Sequence, residues 1–138
     1  MGDGETEDGP LELTASELPT VKAGALQMEL LIQNLLENAI RYRKQGSPPK
    51  VRIYAEETRS HWVIFVADQG IGIAPEYHTK IFEPFQRLNR KNVPSSGIGL
   101  AICHKIVERH GGELRVASSA GEGATFVFSV AKVLRSEI

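Results

Sequence analysis

The chain has 138 residues, 41% of them hydrophobic and 24% charged, and this length suits one globular domain with one core. Basic and acidic residues number 16 and 17, so the net charge of -1 creates no general attraction to nucleic acid or to an anionic membrane. No apolar run is long enough for a transmembrane helix, and the acidic start is unlike a signal peptide. The single cysteine, Cys103, excludes a disulfide framework and favours a reducing compartment.

The first third of the chain predicts a leader, an edge segment and a long helix. Residues 1–10 are acidic and rich in glycine, which predicts a disordered leader or a boundary at which the chain was cut, with one domain over residues 11–138. Residues 11–23 are broken by Pro19 and predict an edge strand or an extended entry segment. Apolar residues recur at helical spacing over residues 26–44 and predict a helix.

The remainder alternates between strand and helix patterns. Strands are predicted at residues 51–55, 62–66, 113–118 and 124–131, the first two as an antiparallel hairpin. A short helical pattern follows Pro75, residues 86–96 read as a polar and basic loop, and residues 98–110 predict another helix. The expected fold class is an α/β (α+β) two-layer sandwich, with a mixed, mostly antiparallel sheet covered on one face by three helices.

An acid and two glycines lie together directly after the second strand of the predicted hairpin. Asp68 ends that strand, and Gly70 and Gly72 follow at alternate positions. A carboxylate can accept a hydrogen bond from the exocyclic amine of a purine, and glycines let the backbone approach the ring closely. Taken alone, the same residues fit an ordinary turn equally well.

Three polar residues share one face of the first predicted helix. Asn34, Asn38 and Arg41 are four and three residues apart, which places them on one side of a helix that turns about 100° per residue. A carboxamide oxygen is a neutral ligand for Mg²⁺, and an arginine one turn further can contact phosphates. A solvated helix face is an equally good interpretation, although asparagine is a poor helix former.

A basic loop precedes a second pair of glycines. Arg87, Arg90 and Lys91 lie in this loop without an acid, and Gly97 and Gly99 open the later helix. Backbone amides at such a glycine-rich helix start can hold the phosphates of a nucleotide. A Rossmann motif is excluded because no strand leads directly into Gly97, and a P-loop is excluded because no Gly-Lys-Ser/Thr follows.

In this order, the motifs resemble the N, G1, F, G2 and G3 boxes of the catalytic ATP-binding domain of sensor histidine kinases. The boxes read NLLENA at 34–39, DQGIG at 68–72, FEPF at 82–85, GIGL at 97–100 and GEGATF at 121–126. The resemblance covers about residues 18–130, and residues 98–112 are most similar to phytochrome-like and hybrid kinases. It implies the Bergerat (HATPase, GHKL) fold, which gyrase-type and heat-shock chaperone ATPases share.

The resemblance also implies a function and a set of residue roles. The domain would bind ATP and Mg²⁺ and transfer the γ-phosphate to a histidine on a separate dimerisation and phosphoacceptor domain, with a response regulator receiver domain downstream. Asn38 would hold Mg²⁺, Asn34 would help to order metal and phosphates, and Arg41 would contact phosphate. Asp68 would accept from the adenine amine, and Tyr42 would lie against the ring. The other implied nucleotide contacts are Gly70, Gly72, Ile73, Arg87, Gly97, Gly99, Leu100 and Thr125. Thr125 would back the Asp68 site.

Two alternatives to a kinase stay open. One is an ATPase of the same fold, but such relatives carry a glutamate where this chain has Asn34, and an amide cannot take a proton from water. Glu37 is the nearest carboxylate, and we interpret it as a solvated or more distant acid. The other is a non-catalytic nucleotide-sensing or protein-docking module, because residues 94–96 (PSS) replace the glycine and threonine that family members commonly have before Gly97.

The sequence around each histidine indicates whether the chain carries its own phosphoacceptor. None of the four lies in a phosphoacceptor motif, so the acceptor is expected on another domain of the parent protein. Because the dimer would form through the acceptor helices, we expect the isolated domain to be a monomer that contacts neither nucleic acid nor membrane. The expected location is the cytoplasm, whether or not the parent protein is anchored in a membrane.

Overall fold

The computed structural model describes residues 5–19, 24–83, 99–118 and 121–132. These residues contain two α-helices, α1 (Ala25–Arg41) and α2 (Gly99–Arg109), and two short 3-10 turns, Pro75–Tyr77 and Lys80–Phe82. The strands are β1 (Glu5–Thr6), β2 (Gly9–Pro10), β3 (Glu12–Ala15), β4 (Lys50–Glu57), β5 (His61–Asp68), β6 (Leu114–Ser118) and β7 (Ala124–Ala131).

Five strands form one mixed sheet in the order β3-β4-β5-β7-β6. The edge strand β3 runs parallel to β4, and the other neighbours are antiparallel. The predicted hairpin is present as β4 and β5, and the predicted class of a mixed, mostly antiparallel sheet is confirmed. The short helical pattern after Pro75 is present as the two 3-10 turns.

The core lies between the sheet and the two helices. Helix α1 buries Leu31 and Leu35 completely, and α2 contributes Cys103 and Val107. Along β7 every second residue is buried, with Phe126 almost inaccessible, as expected for a strand with one face on a core. Each large apolar side chain buried in this way contributes roughly 1.5–3 kcal/mol to folding. No helix among the described residues is long and apolar enough to cross a membrane.

Helix α1 ends earlier than its apolar pattern predicts. It stops at Arg41 because Tyr42 leaves the helical conformation, with φ -106° and ψ 27°. The Tyr42 carbonyl then accepts a hydrogen bond from the N–H of Ile71 at 3.0 Å, so a tertiary contact replaces continuation of the helix. This contact fixes how the end of α1 meets the loop after β5.

Residues 5–10 differ from the expected leader. Strands β1 and β2 pair as a small antiparallel ribbon, and Asp8 between them makes an ion pair with Arg43 at 3.0 Å. Arg43 lies just after α1, so a charge pair links the ribbon to the rest of the domain. The predicted basic loop at 86–96 lies outside the described residues.

Candidate functional site

Asp68 lies where β5 ends and β7 begins, paired in register with Ala124. Its Oδ1 accepts hydrogen bonds from the backbone N–H groups of Gly70 at 2.8 Å and Ala124 at 3.2 Å. Its Oδ2 has no hydrogen-bond partner in the described part of the chain. Burial raises the pKa of this carboxyl and is the larger effect, while the two backbone hydrogen bonds lower it. One oxygen therefore holds the fold together, and the other is available to a ligand.

The loop at residues 69–73 packs against the C-terminal end of α1. The N–H of Ile71 donates to the Tyr42 carbonyl, and a Cβ placed on Gly70 would stand 2.5 Å from that same oxygen. Such a contact is too short for any side chain, so the backbone can approach α1 only at a glycine. The loop therefore brings Asp68 close to the last turns of α1.

Asn38 and Arg41 lie in those last turns of α1. Asn38 is only 9% exposed, yet its carboxamide makes no hydrogen bond with another described residue. No side-chain nitrogen or oxygen in the described residues is fully buried without a partner, so solvent reaches this carboxamide through its remaining surface. The Arg41 guanidinium likewise has no ion pair or hydrogen bond within the described residues. An amide and a cation that have no polar partner in the described part of the chain can both receive a ligand.

Asn34, one turn earlier, connects α1 to the start of α2. Its Nδ2 donates to the Leu30 carbonyl at 2.9 Å, which fixes the carboxamide. A Cβ on Gly99 would stand 2.8 Å from the Asn34 Oδ1, so the first residue of α2 touches this oxygen. Leu100 follows and packs against the core. Gly99 is thus held beside the polar face of α1.

Thr125 does not stand where the resemblance places it. The register pairs Thr125 with Ala67 and Asp68 with Ala124. Because side chains alternate along a strand, Thr125 points to the sheet face opposite Asp68 and the buried Phe126. The contact with Asp68 comes instead from the backbone N–H of Ala124. Two further implied contacts, Arg87 and Gly97, lie outside the described residues.

The family follows from a match over most of the chain. The family described as "Histidine kinase-, DNA gyrase B-, and HSP90-like ATPase" matches residues 23–133. The chain belongs to this family. Membership of a family of ATPases implies that the domain binds ATP, and it confirms the resemblance that the five sequence boxes indicated.

Named relatives of this ATPase domain are sensor proteins much longer than the chain. Cyanobacterial phytochrome A from Nostoc sp. is 46% identical over 119 residues, which cover 86% of this chain and 15% of that protein. The chain spans 15–19% of the length of the first curated relatives that it matches. The similarity to phytochrome-like proteins that residues 98–112 suggested is therefore present over most of the domain.

Solved structures of histidine kinases share the fold of this ATPase domain. The mycobacterial sensor histidine kinase MprB is 27% identical with a TM-score of 0.76, over 90% of this chain and 83% of that chain. Full-length ShkA in complex with AMPPNP is 28% identical with a TM-score of 0.78, over 97% of this chain and 28% of that chain. The two-layer architecture expected from the sequence is therefore that of histidine kinase catalytic domains.

Ser118 and His78, which no sequence motif singled out, bind the loop at residues 69–73 through the backbone of Ile73. Ile73 is buried, and its N–H donates to the Ser118 Oγ at 2.8 Å. The Nε2 of His78 donates to the Ile73 carbonyl at 3.0 Å. Gly72, with φ 79°, turns the chain into this arrangement. For Ser118 and His78, the sequence offers one signal, which is that each lies near a glycine box. Their contacts depend on how a loop meets a distant strand, and this cannot be read from the local sequence.

Proposed function

We propose that this chain is the catalytic ATP-binding domain of a two-component sensor histidine kinase. It binds Mg²⁺-ATP and presents the γ-phosphate to a histidine on a separate dimerisation and phosphoacceptor domain of the parent protein. The observation that carries the proposal is the contact between the loop that follows Asp68 and the end of α1, the helix that carries Asn38. Neither the Asn38 carboxamide nor the Oδ2 of Asp68 has a hydrogen-bond partner among the described residues.

Asp68 recognises the base in this proposal. Its Oδ1 is occupied by two backbone N–H groups, so Oδ2 is the atom that accepts from the exocyclic amine of adenine. The ring is bordered by Gly70, Gly72, Tyr42 and Ile73 in this proposal, and the lack of a Cβ at Gly70 lets its backbone lie against the Tyr42 carbonyl. An acceptor with no partner among the described residues discriminates strongly once the nucleotide covers it, because a base without the amine would leave it unpaired.

The polar face of α1 serves the phosphates and the metal. The donor set suits Mg²⁺, which prefers neutral or anionic oxygens and keeps several waters, and Asn38 offers an oxygen that no described residue uses. When bound, the ion neutralises phosphate charge. Arg41 contacts phosphate, and Asn34, Gly99 and Leu100 place the start of α2 against the same face. In this proposal the nucleotide contacts also include Arg87 and Gly97, which lie outside the described residues.

The residues near Asn34 support transfer rather than hydrolysis. Asn34 is an amide, which is too weak a base to take a proton from water, and its Nδ2 donates to the Leu30 carbonyl. Glu37 is exposed and accepts a hydrogen bond from the Gln33 side chain at 3.3 Å. A carboxylate on the exposed face, with a neighbouring amide as its partner, is poorly placed to activate an attacking water. We therefore expect little ATP hydrolysis without an acceptor.

The partners follow from the same proposal. The phosphoacceptor histidine belongs to the parent protein, and a response regulator receiver domain receives the phosphate from it. The relatives' much greater length supports a parent protein with further domains. We expect the domain itself to be monomeric and cytoplasmic, and to span residues 11–138 with the ribbon at residues 5–10 attached through the Asp8–Arg43 ion pair.

The test is calorimetric titration of the folded chain with ATP, with and without Mg²⁺, on the wild type and on Asn38→Ala. The wild type should bind ATP more tightly with Mg²⁺, and Asn38→Ala should reduce this enhancement by at least about 10-fold while melting at a similar temperature, because the substitution removes no hydrogen bond between described residues. The exposed Gln33→Ala on the same helix is the matched control and should behave as wild type.

Transfer is tested by adding the histidine domain of the parent protein with γ-labelled ATP. Acid-labile label should appear on that domain, with little free phosphate when it is omitted. Rapid phosphate release without the acceptor would establish the ATPase alternative instead. Failure of the folded wild type to bind ATP at all would overturn the proposal in favour of a docking module.

A further inference from the structure

Ser118 bridges two segments that both border Asp68. It is the last residue of β6, and its Oγ accepts the N–H of Ile73 at 2.8 Å while donating to the carbonyl of Gly123. Gly123 directly precedes Ala124, whose N–H binds the Asp68 carboxylate. One hydroxyl therefore ties the far end of the 69–73 loop to the turn that closes over Asp68.

His78 holds the other side of the same residue. Its Nε2 donates to the Ile73 carbonyl at 3.0 Å, so both polar groups of the Ile73 backbone are bound by side chains from distant or neighbouring segments. The 3-10 turn before His78 begins with Pro75, which restricts the backbone between the loop and the histidine. Ile73 is therefore fixed from two directions although it lies in a loop.

The near end of the loop is held without Ser118 or His78. The N–H of Gly70 donates to Asp68 Oδ1, the N–H of Ile71 donates to the Tyr42 carbonyl just after α1, and the Ile71 carbonyl accepts the N–H of Gly121 from the β6–β7 connection. Only the Ile73 end depends on Ser118 and His78. A substitution at Ser118 or His78 can therefore loosen that end while leaving the backbone contacts at Ile71 in place.

We propose that Ser118 and His78 are positioning residues for nucleotide binding, acting through Ile73 to hold the 69–73 loop in its base-accepting shape before ATP arrives. This inference rests on the function proposed above, in which the loop borders the adenine. Preorganisation of this kind raises affinity because the loop does not have to be ordered at the moment of binding. Neither side chain needs to touch the nucleotide.

The chain offers a matched control for Ser118. Ser129 lies on β7, and its Oγ accepts the backbone N–H of Glu113 at 3.0 Å, the same type of contact as that between Ser118 and Ile73. Ser129 pairs with Val63, five residues along β5 from Asp68. Ser118→Ala and Ser129→Ala therefore each remove a hydroxyl that accepts a backbone N–H, one beside the loop and one remote from it, although Ser118 also donates to the Gly123 carbonyl.

The first experiment measures ATP affinity and the hydrogen exchange of the Ile73 amide in Ser118→Ala, Ser118→Thr and Ser129→Ala. We expect Ser118→Ala to weaken ATP binding by about 3-fold to 10-fold and to speed exchange at Ile73. Ser118→Thr keeps a hydroxyl and should restore both values to within about 2-fold of wild type. Ser129→Ala should change neither, even if it lowers the melting temperature equally.

The second experiment repeats these measurements on His78→Ala and His78→Gln, which remain informative if the Ser118 variants fail to fold. His78→Ala should weaken ATP binding by a similar factor, whereas His78→Gln retains an N–H donor and should bind nearly as wild type does. Wild-type affinity in both alanine variants, with faster exchange at Ile73, would overturn the positioning role while leaving the proposed function intact. Absence of binding by wild type would instead count against the proposed function itself.

Discussion

The 69–73 loop and the polar face of α1 lie side by side but are held in opposite ways. Backbone and side-chain hydrogen bonds fix the loop at Ile71 and Ile73 and also occupy one oxygen of Asp68. On α1, the side chains of Asn38 and Arg41 have no polar partner among the described residues. In the proposed function, the base end of the site is thus organised in advance, and the phosphate end gains its partners from the ligand.

Asp68→Asn tests the base end most severely. The carboxamide oxygen must stay on the N–H groups of Gly70 and Ala124, so the variant turns an NH₂ donor toward the adenine amine. We expect ATP affinity to fall by at least about 100-fold, because two donors face each other in a half-buried site. ITP carries a carbonyl in place of the amine, so the variant should bind ITP at least as tightly as ATP, which titration with both nucleotides measures.

The same variant should not lose stability. Burial raises the folded-state pKa of Asp68 above its ordinary value of 3.8, so the folded protein binds this proton more readily than the unfolded chain. The resulting contribution to stability is fully present below pH 3.8 and is lost as the pH rises through the raised pKa. Asparagine has no carboxyl group to ionise, so Asp68→Asn does not lose this stability as the pH rises. The variant should therefore melt no lower than wild type at neutral pH. A markedly lower melting temperature at neutral pH would show that the charge stabilises the fold.

Gly70→Ala tests whether the loop can retreat from α1. The new Cβ would stand 2.5 Å from the Tyr42 carbonyl oxygen, a backbone atom that cannot move without shifting the end of the helix. We expect a loss of about 1–3 kcal/mol in unfolding free energy and roughly 10-fold weaker ATP binding. Gly24→Ala is the control, because its Cβ meets nothing closer than 3.4 Å. Equal behaviour of the two variants in denaturant titration would contradict a rigid contact between loop and helix.

The sequence predicts the elements of this site better than their contacts. The hairpin that ends at Asp68 is readable because alternating apolar residues mark both strands. The end of α1 is not, because Tyr42 leaves the helix to receive Ile71, a residue 29 positions later in the chain. Contacts of this kind depend on tertiary approach and have no local pattern.

For Thr125, the alternation of buried side chains along β7 predicts the direction of the side chain better than the resemblance of its sequence box does. The neighbouring Phe126 and Phe128 are buried, so strand periodicity alone places Thr125 on the opposite face. The resemblance assigned Thr125 a role at Asp68 through the GEGATF box, whereas the strand register pairs Asp68 with Ala124. Ser118 and His78 were missed for the opposite reason, because they act on a backbone that no motif identifies as their partner.

Gly99→Ala should have the smallest effect of these substitutions. It tests the polar face of α1 in the way that Gly70→Ala tests the 69–73 loop. Its Cβ would stand 2.8 Å from the Asn34 Oδ1, but that atom ends a side chain that can rotate, unlike the Tyr42 carbonyl met at Gly70. Alanine also favours the helix that begins here. We expect a stability change within about 1 kcal/mol and roughly 3-fold weaker ATP binding, as the Asn34 carboxamide leaves the Leu30 carbonyl. Calorimetry on Asn34→Ala and the double variant measures the coupling, and additive losses would mean that Gly99 does not act through Asn34.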